Sequence, residues 1–128
     1  MIVVDSSALI AVANKEAQWP EIGALLSRHT RFTMSPVHMV EARMVAERLA
    51  SVADVDRLIR DTPVALVPID AVQAEAAWMA FKRFGKGRHA AALNLADCFA
   101  YALAQVSEAP LLYIGADFAK TDVRSALD

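Results

Sequence analysis

Short apolar runs alternate along this chain with longer stretches of helical period, and that alternation restricts the fold more than any single motif. Residues 2–4 (Ile-Val-Val) read as a buried strand, with Ser6-Ser7 as a helix start and residues 8–13 as its first turns. A second helix is expected over residues 19–29, opened by Pro20, then a short strand over 31–34. Ser35-Pro36 supplies an N-cap and a first-turn proline for a helix to about residue 50. Residues 52–60 read as a further helix, 64–67 as a strand, and Asp70 as the cap of a helix over 71–84. Gly85-Lys86-Gly87-Arg88 is a loop, 94–106 a helix that ends before Pro110, and 111–114 a strand, with one more short strand expected near Val123. Strands and helices in this order imply βαβ units and a mostly parallel sheet covered on both faces, a three-layer α/β/α sandwich. No repeat or linker divides it, so residues 1–128 are read as one domain.

Composition narrows the function classes. Hydrophobic residues make up 56% of the chain, enough for a core, and the single cysteine, Cys98, excludes a disulfide framework or a Cys-rich zinc site. The opening Met-Ile-Val-Val-Asp has no basic leader, and the weakly polar stretch 90–107 is interrupted by Asn94, Asp97 and Gln105. A cytoplasmic protein without a membrane span is therefore expected. Net charge is −2, which argues against gripping nucleic acid by bulk positive charge. A nucleic-acid substrate would need a local basic strip or bound cations.

The informative charges are those placed where burial is expected. Asp5 directly follows the first apolar run, at a strand's carboxyl end, where ligand sites form in open α/β sheets. Helix N-capping explains it equally well. Glu41 falls inside an apolar stripe of Val37, Val40, Met44 and Val45, where a carboxylate must be paired or bound to a cation. Arg43 and Arg48 are the alternative partners, though they point to other faces. Asp97 is the only formally charged residue between 90 and 107, on a helix of Ala, Leu, Phe and Tyr. A cation partner is expected for it, the alternative being an aspartate that caps another helix or accepts from a tyrosine hydroxyl. Asp117 follows the last strand after Gly115, with Thr121 and Asp122 close behind, and taken singly it reads as a turn residue.

Several carboxylates converging on one pocket repel each other unless counter-charge is present. Hard divalent cations with oxygen ligands, Mg²⁺ or Mn²⁺, resolve that conflict and attract phosphate, which suits phosphodiester hydrolysis by a metal-activated water. His29, His38 and His89 share no zinc-ligand spacing, and no nucleophile elbow or phosphate-binding glycine loop follows a strand. Lys82, Arg83, Lys86, Arg88 and His89 form the dense basic cluster. It reads as a solvated helix end or as a strip that steers an RNA backbone toward the acids.

These residues resemble the motifs of PIN domains. Asp5-Ser6-Ser7-Ala8-Leu9 looks like the opening motif and Val40-Glu41-Ala42 like the second acidic one. Gly85-Lys86-Gly87-Arg88-His89 with Leu93-Asn94-Leu95-Ala96-Asp97-Cys98 resembles the third, and Leu111-Leu112-Tyr113-Ile114-Gly115 leading into Asp117-Phe118 and Thr121-Asp122 the fourth. In this order and spacing they are similar to VapC toxins across nearly the whole chain. The resemblance implies a Mg²⁺- or Mn²⁺-dependent endoribonuclease, a homodimer, and inhibition by a VapB-type antitoxin. It implies catalytic acids at Asp5, Glu41, Asp97 and Asp117, with Asp5 and Asp97 the principal metal ligands and Ser7, Thr121 and Asp122 in support. Ala116, Ala90 and His38 depart from the usual pattern.

Two other readings compete. One is a catalytically silent PIN-like module that binds RNA or a partner; the other is a different Mg²⁺-dependent phosphohydrolase, though such folds usually carry a second acid where Ser7 stands. A homodimer is also expected from the apolar content, with Trp19 and Met39 leaving surface to cover.

Overall fold

The computed structural model describes residues 1–28 and 30–128. His29, expected as the end of the second helix and weighed as a zinc ligand, lies outside the described residues. The strands are β1 (Ile2–Val4), β2 (Phe32–Met34), β3 (Ala65–Leu66) and β4 (Leu111–Leu112), and the helices α1 (Ser6–Ala13), α2 (Trp19–Leu26), α3 (Pro36–Arg48), α4 (Val52–Asp61), α5 (Ala71–Phe84) and α6 (Leu95–Val106). The strands form one sheet in the order β3-β2-β1-β4, and every pairing is parallel. The expected three-layer α/β/α architecture with a parallel sheet is what the chain adopts.

Strand alternation explains the layers. Val3 packs into a core with Ala77, Ala80 and Phe84 of α5 and Leu103 of α6. Its neighbour Val4 points through the sheet into a second core with Leu9, Ile22, Ala42 and Val55, drawn from α1 to α4. Adjacent residues on a strand face opposite ways, so an unbroken apolar run is the pattern of a strand buried on both sides. Burying each such valine or leucine stabilises the fold by about 1.5–3 kcal/mol before entropy is counted.

Local signals set the helix starts. Asp70 accepts from the Gln73 N–H at 2.8 Å and Pro36 opens α3 at its first turn. Gly85 ends α5 where a Cβ would come within 2.4 Å of Phe81, so no larger residue fits unmoved.

Some elements are shorter than expected. The helix read over residues 19–29 ends at Leu26, and the strand read over 64–67 is reduced to two exposed residues at the sheet's edge. No strand forms at Val123. The tail instead returns to β4 through one parallel bridge between Leu111 and Ser125, with Leu111 N–H donating to Arg124 O and Ala126 N–H to Leu111 O. The stripe on α3 is also corrected: Val40 and Met44 are 52% and 65% exposed, and the buried face carries His38, Ala42 and Ala46. Small residues let α1 and α4 approach α3 closely there, which a pattern of large apolar residues does not reveal.

Candidate active site

The chain leaves β1 toward β2 on one side, whereas β4 arrives on the other side after α5 and α6. Connections therefore diverge at the carboxyl ends of β1 and β4, and a crevice opens where they part. Asp5 stands at the end of β1, and Asp117 follows the end of β4 after Gly115, whose φ of +105° makes a turn that side chains other than glycine's strain to adopt. Together with Glu41, Asp97, Ser6, Ser7 and Glu16 they line a 330 Å³ cleft.

Three of the four acids are aimed by a neighbour. Asp5 caps α1 with Oδ2, which accepts from the Ser7 N–H at 3.1 Å and from the Ser7 hydroxyl at 2.6 Å. Ser7 Oγ also accepts from the Ile114 N–H at 3.0 Å, so one hydroxyl stitches the end of β1 to the end of β4. Glu41 Oε1 accepts from the buried Ser6 hydroxyl at 2.5 Å. Asp97 closes a capping box on its own helix: its Oδ2 accepts from the Asn94 N–H at 3.0 Å, and Asn94 Oδ1 accepts from the Asp97 N–H at 2.8 Å. The capping reading of Asp5 thus holds, and it occupies only one of the two carboxylate oxygens.

Electrostatics records the convergence. Burial pushes the Asp97 carboxyl up to about 6, and the charges of Asp5, Glu41 and Asp117 push the same way, against the hydrogen bond from the Asn94 backbone. Four carboxylates from distant points of the sequence therefore feel one another. Neither arginine weighed as a partner for Glu41 forms an ion pair with it among the described residues; Arg43 pairs with Asp56 at 2.8 Å. Burial pushes the Cys98 thiol up to about 11, which removes it as a nucleophile at neutral pH.

Other candidates lie elsewhere. Asp122 lines a separate groove beside Gln105 and Glu108 and accepts from the Tyr101 hydroxyl at 2.5 Å and from Arg83 at 3.2 Å. The tyrosine bond holds its carboxyl below the usual range, with Arg83 adding to the fall. Thr121 donates its hydroxyl to Phe118 O and accepts from the Val123 N–H, which shapes the turn after the 3₁₀ helix Phe118–Lys120. Within the basic cluster, Lys82 lies over Trp78 and Arg88 over Phe81, Lys86 borders an apolar groove of 410 Å³ between α5 and α6, and Arg83 is committed to Asp122. A still larger groove of 670 Å³ runs along Val40 and Met44 and meets the cleft at Glu41 and Val45. Neither groove gathers carboxylates, so volume does not mark the chemistry here.

Sequence reasoning passed over Ser6, Glu16 and Asn94. The Asn-x-x-Asp spacing of Asn94 and Asp97 is a readable capping box; the partnership of Ser6 with Glu41 has no sequence signal.

The donor set fits a divalent cation. Asp5 Oδ1 is buried with no hydrogen-bond partner, and Asp5, His38 and Glu41 each place a ligand atom within 4.8 Å of the others. Carboxylate oxygens around a buried, unpaired acceptor are what Mg²⁺ or Mn²⁺ takes.

Comparison with known proteins agrees in sequence and in fold. The PIN domain family matches residues 2–124. Ribonuclease VapC of Mycolicibacterium smegmatis is 42% identical over 125 residues, 95% of this chain and 97% of that one. Ribonuclease VapC30 of Mycobacterium tuberculosis is 36% identical over 125 residues, 95% of each. Among solved structures, Mycobacterium tuberculosis VapC20, described as a sarcin-ricin loop cleaving toxin, has a TM-score of 0.77 at 18% identity over 96% of each chain. A toxin-antitoxin complex from Klebsiella pneumoniae gives 0.74 at 18% identity, over 100% of this chain and 98% of that one. At that identity the likeness is one of fold.

Proposed function

The chain belongs to the PIN domain family and, within it, to the VapC ribonucleases, and from that premise we propose that it is the endoribonuclease toxin of a toxin–antitoxin pair, cutting RNA with Mg²⁺ or Mn²⁺ held among Asp5, Glu41, Asp97 and Asp117. The observation that carries the residue assignment is the convergence of these acids on one cleft, where burial raises the Asp97 carboxyl to about 6 and the charges of Asp5, Glu41 and Asp117 add to the rise. Residues 1–128 act as one PIN domain.

When bound, the cation supplies counter-charge for a phosphate and makes a water acidic enough to deprotonate near neutral pH. The protein's part is positioning. Ser7 locks the Asp5 carboxylate through Oδ2 and leaves Oδ1 buried without a hydrogen-bond partner. Ser6 holds Glu41 and Asn94 holds Asp97, so the acids are oriented before RNA arrives. Asp97 meets a crowding of negative charge from Asp5, Glu41 and Asp117 that a bound cation would offset.

RNA approaches past Lys82, Lys86 and Arg88, exposed cations on the α5 end and its loop, while Arg83 is tied to the tail. The partners are a VapB-type antitoxin and a second copy of the chain, which covers exposed apolar surface such as Trp19. The site of action is the cytoplasm, and no helix among the described residues is long and apolar enough to cross a membrane. Incubating the protein with total RNA, with and without Mn²⁺, and mapping new 5′ ends tests the reading. Unchanged RNA at all cation concentrations contradicts it.

A further inference from the structure

His38 is left unused by the reading of four acids. It lies in the first turn of α3, three residues before Glu41, on nearly the same side of the helix. Its side chain is 0% exposed, and neither ring nitrogen has a hydrogen-bond partner. Nε2 stands 3.4 Å from Asp5 Oδ1, which is itself buried and unpartnered. The pair is close in distance but poorly aligned for a hydrogen bond. Leaving a buried polar group unsatisfied costs about 1–3 kcal/mol, and here two such groups face each other.

The hydrogen bonds already made decide which atoms are free. Asp5 Oδ2 accepts twice from Ser7, so Oδ1 is the oxygen left for a ligand. Glu41 Oε1 accepts from Ser6, which leaves Oε2. Two donors about 2.1 Å from one ion, at octahedral to tetrahedral angles, stand roughly 3.0–3.4 Å apart. The spacing between Asp5 Oδ1 and His38 Nε2 matches the upper end of that range.

We propose that His38 Nε2 is a direct ligand of the cation held by Asp5 and Glu41, so that the centre has a mixed nitrogen and oxygen donor set. This rests on the cation site proposed above. Imidazole suits borderline ions, whereas Mg²⁺ takes oxygen and keeps its waters. The site therefore favours Mn²⁺ over Mg²⁺ more strongly than carboxylates alone would.

The test loads the full-length metal-free protein with Mn²⁺ and reads nitrogen coupling by electron spin echo envelope modulation, beside calorimetric titrations with Mn²⁺ and Mg²⁺. The wild type should show a ¹⁴N coupling of directly bound imidazole. Loss of an outer hydrogen-bond partner weakens metal binding roughly 10–100-fold. His38→Gln, which keeps an N–H donor, should abolish the coupling and weaken Mn²⁺ at the upper end of that range, with a smaller change for Mg²⁺. Tight Mn²⁺ binding without ¹⁴N coupling in the wild type, or wild-type affinity in His38→Gln, would overturn the proposal and make His38 a holder of Asp5. Absence of any Mn²⁺ binding by the wild type overturns it together with the cation site on which it rests. The wild-type spectrum needs no variant to fold.

Discussion

The Ser6 hydroxyl donates to Glu41 Oε1 across 2.5 Å and so ties the first turn of α1 to the middle of α3. A hydrogen bond to a charged group is worth about 1.5–3 kcal/mol, and this one also points the carboxylate into the cleft. Ser6→Ala should lower stability by about 1 kcal/mol, because the freed Glu41 can reach solvent. The cleavage rate should fall about tenfold, with RNA binding little changed. Urea melts and single-turnover kinetics measure the two effects, and an undiminished rate would separate Glu41 orientation from catalysis.

Asp97→Asn removes a charge but keeps an oxygen that can accept from the Asn94 N–H. Mn²⁺ binding should weaken at least tenfold by calorimetry, whereas the metal-free protein should become more stable at pH 7. The sign follows from linkage. The folded carboxyl titrates near 6 against 3.8 for its ordinary value, so the native state binds the proton more tightly. Stability from this group is present below about pH 4 and is lost as pH rises through 6, on the order of 1 kcal/mol once solvent screening of this partly exposed carboxyl is allowed for. Melts of wild type and Asp97→Asn in EDTA at pH 4.5 and 7 should diverge by that amount. Parallel melts would mean that burial and the neighbouring acids do not raise this carboxyl as described.

Hydrolysis by water, in place of attack by the neighbouring ribose hydroxyl, leaves a 5′-phosphate and a 3′-hydroxyl. Cleavage should vanish in EDTA and return with Mg²⁺ or Mn²⁺, and a ligase that requires 5′-phosphate should accept the fragments. Cyclic 2′,3′-phosphate ends together with activity in EDTA would contradict the assignment of all four acids.

Tyr101→Phe tests the placement of Asp122 outside the cleft. The phenol is buried, donates to Asp122 at 2.5 Å and lies 3.4 Å from Arg83, so the three strap the tail to α5 and α6. Its loss should cost about 1–2 kcal/mol in a urea melt and leave the cleavage rate within twofold. A collapse of activity at unchanged stability would instead bring Asp122 into the reaction.

Much of this was legible in one dimension. Ile2, Val3 and Val4 form a run with no polar position, which only a strand covered on both faces tolerates, and that requires layers of helix on either side. Asp97 on an otherwise uncharged helix, and Asp5 at the end of a strand, break their local patterns, and such breaks concentrate at functional sites. The order and spacing of the motifs then carried the likeness to PIN domains.

Other features were decided only by tertiary packing. The stripe of Val37, Val40, Met44 and Val45 suggested one buried face of α3, but α1 and α4 pack where Ala42 and Ala46 let them come close, and Val40 and Met44 were left outside. Arg83 read as a free cation until the tail brought Asp122 beside it from 39 positions away. His38 read as an oddity until Asp5 Oδ1 was found 3.4 Å from its ring. Periodicity records which side chains share a face of one element, whereas burial and pairing depend on which other elements approach that face. Asp5, Glu41, Asp97 and Asp117 come from two strand ends and two helices, and they meet only because the parallel sheet delivers those ends to one crevice.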